Sequence, residues 1–125
     1  MIAYLRGETG ADVVSNVLLE PSHQSFAHAL NLCEVYYDFY RASGAAIASE
    51  AVKDLIAVGI QPRHDISLEF WQAAGVLKAN LRRVSLADCF AIALAQALSG
   101  RVLTSDHGEF DSLSAQGVCE VEFIR

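Results

Sequence analysis

The sequence predicts an α/β fold, a parallel sheet flanked by helices on both faces, built as a single domain over residues 1–125. Two observations predict it. Apolar periodicity alternates between helix-like stretches and short strand-like ones, the pattern of helices connecting parallel strands. No repeat, low-complexity tract or charge block divides the chain, and a hydrophobic content of 53% over 125 residues is enough for one sizeable core.

The elements follow in order. Residues 2–6 read as the tail of a helix, with a glycine-containing turn over 7–10 and a second short helix over 12–19. "HQSFAHAL" supplies a strand at 25–29, ending where "NLCEVYYDFYRAS" begins a helix that Gly44 interrupts. A helix over 45–57 leads to "GIQPRHDIS", a short strand and turn in which Pro62 excludes a long central strand. The next helix spans 66–80, with Asp65 and Ser67 as competing N-caps, and another spans 85–98, closed by Gly100 as its C-terminal cap. "RVLTSD" and "VCEVEFI" are the last two strands, and the acidic stretch "HGEFD" between them reads as a solvated loop.

Bulk properties narrow the function. No apolar run reaches the ~18 residues of a membrane span, and "MIAYLRGETG" lacks a basic start, an apolar core and a cleavage site, so a cytoplasmic protein without membrane association is expected. Cys33, Cys89 and Cys119 are odd in number, far apart, and form no metal-knuckle spacing with the four histidines, which argues against disulfides and structural zinc. A net charge of −6 argues against nucleic-acid binding through a general basic surface, unless bound cations or a partner supply positive charge.

Three carboxylates carry the chemistry. Ser85 and Asp88 have the S-x-x-D spacing of a helix start, where Ser85 caps and Asp88 meets the positive end of the dipole. Taken alone, that is a capping role. The helix beyond has no polar face until Gln96, so an acid at its head needs a compensating partner. Glu34 shares a helical stripe with Leu30, Cys33 and Tyr37, and by itself reads as an acid paired with an arginine or hydrated at an edge. Asp106 follows the apolar "RVLT", at the carboxyl end of a strand, where parallel sheets bind ligands. A divalent ion compensates all three. Mg²⁺ or Mn²⁺ prefers such hard oxygen ligands, and an ion also reconciles an acidic protein with a phosphodiester substrate.

Together "LNLCEVYY", "RVSLADCFAIALA" and "VLTSDHGEFDSL" resemble the three downstream acidic motifs of the PIN domain, especially the VapC-like toxin ribonucleases, with the same order and separations. By this resemblance Glu34, Asp88 and Asp106 match the catalytic, metal-binding acids, Thr104 matches a polar position beside the last, and Glu109 and Asp111 are nearby accessory acids. The likeness implies Mg²⁺ or Mn²⁺ dependence, endonucleolytic cleavage of an RNA substrate, a cognate antitoxin protein that covers the site, and a homodimer. The alternative is a catalytically silent PIN-like module that binds RNA or an antitoxin.

One departure stands out. Members of the family usually begin with a central strand ending in aspartate, followed by a helix resembling "MIAYLRGE"; here the chain opens inside that helix. The first strand and first acid are therefore expected to be missing from this chain, which is either preceded by an upstream segment or truncated and inactive. The orderly remainder favours an upstream segment.

Other residues have plainer readings beside functional ones. Lys78, Arg82 and Arg83 precede the Asp88 helix and are placed for RNA phosphate contact, though such cations are commonly solvated charge. Cys33 and Cys89 read as small buried packing residues. Tyr36, Tyr37, Phe39 and Tyr40 read as core and dimer surface, and His107 as an exposed loop histidine.

Overall fold

A computed structural model describes residues 1–125, which divide into two units, Met1–His64 and Asp65–Arg125. The first contains α1 (Ile2–Arg6), α2 (Ala11–Leu19), β1 (Ser25–His28), α3 (Ala29–Ser43), α4 (Ala45–Ala57) and β2 (Ile60–Arg63). The second contains α5 (Leu68–Asn80), α6 (Leu86–Ala97), β3 (Arg101–Thr104), α7 (His107–Ala115) and β4 (Glu120–Phe123). Helices alternate with short parallel strands, as the apolar pattern predicts.

The strands form two parallel pairs, each two strands wide. In the first unit β1 pairs with β2, Ser25 opposite Ile60 and His28 opposite Arg63. In the second β3 pairs with β4, Arg101 opposite Glu120 and Thr104 opposite Phe123. The expected parallel strands are present, as two-stranded pairs. Pro62 lies within β2, opposite Ala27, and can donate no hydrogen bond to a further strand there.

Each unit has its own core. Ala27, Leu32, Val35, Leu55 and Ile60 pack together in the first, with Ile2, Leu5 and Phe39 against them. Arg6 fastens α1 to α3: its guanidinium bonds Asp38 at 2.7 Å and lies over the Phe39 ring at 5.3 Å. Gly44 ends α3 and begins α4 at φ 85°, a conformation that a side chain would strain. In the second unit Val84, Cys89, Ile92, Phe110 and Leu113 form the core, and Phe70 of α5 meets Phe90 of α6 at 5.7 Å between ring centroids.

Several local expectations need correction. The stretch beginning at His107 is a helix, α7, because Asp106 caps it: its Oδ1 accepts the Glu109 N–H at 3.0 Å. Helix α6 ends with Ser99, not a glycine, in the left-handed region at φ 52°. The Ser99 N–H donates to the Gln96 carbonyl at 3.3 Å and the Gly100 N–H to the Ala95 carbonyl at 2.8 Å, a Schellman closure with serine at the strained position. Of the two candidate caps for α5, Ser67 acts: its Oγ accepts the Phe70 N–H at 3.3 Å. Cys33 is exposed rather than buried; of the aromatic run read as core and dimer surface, Phe39 joins the core and Tyr36, Tyr37 and Tyr40 are exposed. No helix is long and apolar enough to cross a membrane.

Candidate active site

In the first unit Glu34 is half-buried in the middle of α3. The neighbours that shared its predicted stripe lie toward solvent: Leu30 is half-buried, and Cys33 and Tyr37 are exposed. Glu34 therefore stands at the edge of the core rather than on an apolar stripe. Helix α3 is anchored just upstream by His28, whose Nδ1 accepts the Leu30 N–H at 3.2 Å while its ring is 2% exposed.

In the second unit, the start of α6 and the start of α7 face each other through side chains. Ser85 caps α6, its Oγ accepting the Asp88 N–H at 3.0 Å and donating to Asp88 Oδ2 at 2.7 Å. In a complete capping box the acid at the third helical position also accepts the cap residue's own N–H. Here Glu109 of α7 takes that place, its Oε2 accepting the Ser85 N–H at 3.3 Å. Asp106 is held in turn by Thr104, whose Oγ1 accepts the Asp106 N–H at 3.0 Å. Ser85, Asp88, Asp106 and Glu109 are thus joined through one hydrogen-bonded set, with Thr104 behind it.

Electrostatics register the crowding. Burial pushes the Glu109 carboxyl above the ordinary glutamate range; the Ser85 N–H opposes this, and the negative charges of Asp88 and Asp106 reinforce it. The Cys89 thiol beside Asp88 is buried and pushed up chiefly by desolvation, which makes it a poor nucleophile.

The remaining candidates are placed differently. Lys78 is occupied structurally: its Nζ donates to the Arg82 carbonyl at 3.1 Å and the Val84 carbonyl at 2.7 Å, holding the loop into α6. Arg82 and Arg83 on that loop are exposed. Asp111 faces His107, Oδ1 to Nδ1 at 2.9 Å, and is exposed.

An all-oxygen donor set suits Mg²⁺ or Mn²⁺, and mutual repulsion among Asp88, Asp106 and Glu109 is the condition that a cation relieves. The donor chemistry fits a divalent ion. Neither unit gathers three or more such side chains in an arrangement that could hold one as it stands.

The profile of the PIN domain family matches residues 1–115. The chain belongs to the PIN-domain family. The match takes in α3 with Glu34, the start of α6 with Asp88, and the strand end and helix start with Thr104, Asp106 and Glu109. PIN domains are typically nucleases and generally use divalent metal ions, and this chain carries the α/β alternation of helices and parallel strands consistent with that fold. A comparison with curated proteins returns no match. Sequence reasoning missed the link between Ser85 and Glu109, 24 residues apart, because nothing in either local pattern encodes it.

Proposed function

We propose that this PIN-domain protein is a metal-dependent endoribonuclease of the VapC-like kind, the toxin of a toxin–antitoxin pair. The observation that carries the reading is the hydrogen-bonded set of Ser85, Asp88, Asp106 and Glu109 within a chain of PIN membership. Asp88 and Asp106 are the residues of the second unit that would hold Mg²⁺ or Mn²⁺, and Glu34 is the proposed metal-binding acid of the first. The ion supplies Lewis-acid chemistry for phosphodiester hydrolysis and offsets the acidic surface. Ser85 orients the Asp88 carboxylate, Thr104 sets the backbone at Asp106, and Glu109 and Asp111 tune the charge nearby. Arg82 and Arg83, on a loop held by Lys78, contact RNA phosphates.

The same reading includes a single domain working in the cytoplasm, a cognate antitoxin placing a basic side chain among the acids, and self-association of the chain.

The test is cleavage of a single-stranded RNA in Mn²⁺, with and without chelator. Activity that vanishes in Asp88→Asn, with an unchanged circular dichroism spectrum, supports the nuclease. A different observation favours the rival, a silent module that binds RNA or an antitoxin. Asp88, Asp106 and Glu109 each already make a structural bond, and acids so used are weaker ligands. RNA binding without turnover in any divalent metal would select it.

A further inference from the structure

Helix α3 buries aliphatic side chains and exposes its tyrosines. Leu32 and Val35 are buried and Phe39 packs on the first core, whereas Tyr36, Tyr37 and Tyr40 are 37%, 49% and 53% exposed. No leucine or valine of the helix is exposed beside them. Tyr36 and Tyr40, one turn apart, stack on each other with centroids 6.1 Å apart and planes 27° from parallel. Packing of the core does not account for three rings on the outside of one helix.

Their neighbours indicate what they meet. Glu34, Tyr37 and Arg41 stand at i, i+3 and i+7, the spacing of one helix face, so the exposed ring lies between the acid proposed to hold a metal ion and an exposed guanidinium. The helical rise puts Tyr37 about 4.5 Å and Arg41 about 10.5 Å along the axis from Glu34. Helical side chains lean toward the N-terminus, which inclines Tyr37 toward the turn of Glu34. The other acid of this stretch, Asp38, is neutralised by Arg6 at 2.7 Å, so Arg41 meets an approaching anion without a competing free carboxylate at that turn. Open π faces for bases and a cation for the backbone are the parts from which single-strand sites are made.

We propose that Tyr37, flanked by the Tyr36–Tyr40 pair and Arg41, is a platform on which an unpaired base of the RNA stacks beside Glu34. The inference rests on the nuclease reading and adds to it a positioning role for α3. A base paired in a duplex offers no free face to Tyr37, so the platform selects single strands; every base has a π face, so it selects no sequence. Arg41 meets the phosphate of the stacked nucleotide or its neighbour.

The test is binding, read by anisotropy of a short fluorescein-labelled single-stranded RNA in chelator, where no cleavage intervenes. Tyr37→Ala should weaken binding by at least ~5-fold, the lower end for one base–aromatic stack, with an unchanged circular dichroism spectrum. Tyr37→Phe should bind like the parent, because the ring and not the hydroxyl is used. Arg41→Gln should reduce the slope of log affinity against log salt by ~0.7, one phosphate contact on a single strand. The parent should also bind an abasic RNA of the same length more weakly, a comparison that needs no variant. Parent affinity in Tyr37→Ala, or equal affinity of the parent for base-bearing and abasic RNA, overturns the platform, and does so while leaving the nuclease reading intact if Mn²⁺-dependent cleavage persists. Base-dependent binding lost in Tyr37→Ala, without cleavage in any divalent metal, keeps the platform and removes the nuclease. Unchanged RNA binding with a smaller sedimenting mass in Tyr37→Ala would give the face to a second copy of the chain and overturn the proposal.

Discussion

Ser85 and Asp88 bond each other in both directions: the serine hydroxyl donates to the aspartate carboxylate at 2.7 Å, and the aspartate N–H donates back to the hydroxyl at 3.0 Å. The capping role and the proposed catalytic role of Asp88 therefore use different atoms of one residue, and substitution can separate them. Ser85→Ala should cost about 1 kcal/mol of stability through the lost cap. Asp88→Asn keeps the N–H that Ser85 accepts and should stay within about 0.5 kcal/mol of the parent, while RNA cleavage disappears. Urea unfolding beside a cleavage assay checks both; an active Asp88→Asn protein would remove Asp88 from the site.

Glu109 gives the site a signature in acid. Its carboxyl is raised in the folded protein, mainly by burial, so the folded state holds that proton more tightly than the unfolded one. The stability this contributes is fully present below the ordinary glutamate value and is lost as pH rises through the raised one. Glu109→Gln should flatten that part of the stability profile, measured as melting temperature from about pH 4 to pH 7. Mn²⁺ bound near Asp88 and Asp106 should pull the Glu109 titration back down, because a cation favours the ionised form.

What the sequence revealed depended on how local the determinant was. Ser85 with Asp88, and Ser67 with Phe70, are contacts three residues apart, and their patterns are readable along the chain. Gly44 likewise marks its own break. The bond from Ser85 to Glu109 joins two helix starts, and α7 itself was hidden because its apolar anchors, Phe110 and Leu113, are too few to show a period. The aromatic run of α3 divides, with Phe39 against the core and the tyrosines outside it. Their rings are large and apolar, but Tyr36 and Tyr40 stack on each other at 6.1 Å along the outside of the helix.

Ser99 holds a conformation that suits glycine. At φ 52° an L side chain crowds its own backbone, at a cost of roughly 1–2 kcal/mol, while the neighbouring glycine sits one position too late to relieve it. Ser99→Gly should raise stability by about 1 kcal/mol, with the gain reduced by the extra freedom of glycine in the unfolded chain. Gly100→Ala should change little, since a Cβ there meets nothing within 4 Å. Melting curves of the two variants decide the point; a destabilised Ser99→Gly protein would show that the hydroxyl matters more than the backbone.

His107 ties the start of α7 to the end of the chain. Its ring stacks on Phe123 with centroids 4.0 Å apart and planes 10° from parallel; Nε2 meets the Arg125 carbonyl at 2.7 Å, and Nδ1 meets Asp111 at 2.9 Å. A carbonyl can only accept, so Nε2 carries a proton. The contact to Asp111 is then a hydrogen bond only when Nδ1 is protonated as well, which makes the charged ring the form that satisfies both partners. The histidine is accordingly raised above its ordinary value, by the Arg125 carbonyl first and the Asp111 carboxylate second. With a raised folded value, the stability it contributes is fully present below the ordinary histidine value and is lost as pH rises through the raised one. His107→Gln should abolish the fall in melting temperature across that window, and Asp111→Asn should move the imidazole titration, followed by NMR, toward lower pH. Because Asp106 caps the same helix, this loosening on the alkaline side should reach the proposed site, and RNA cleavage should lose that pH dependence in His107→Gln. An imidazole midpoint unmoved by Asp111→Asn would break the argument at its first step.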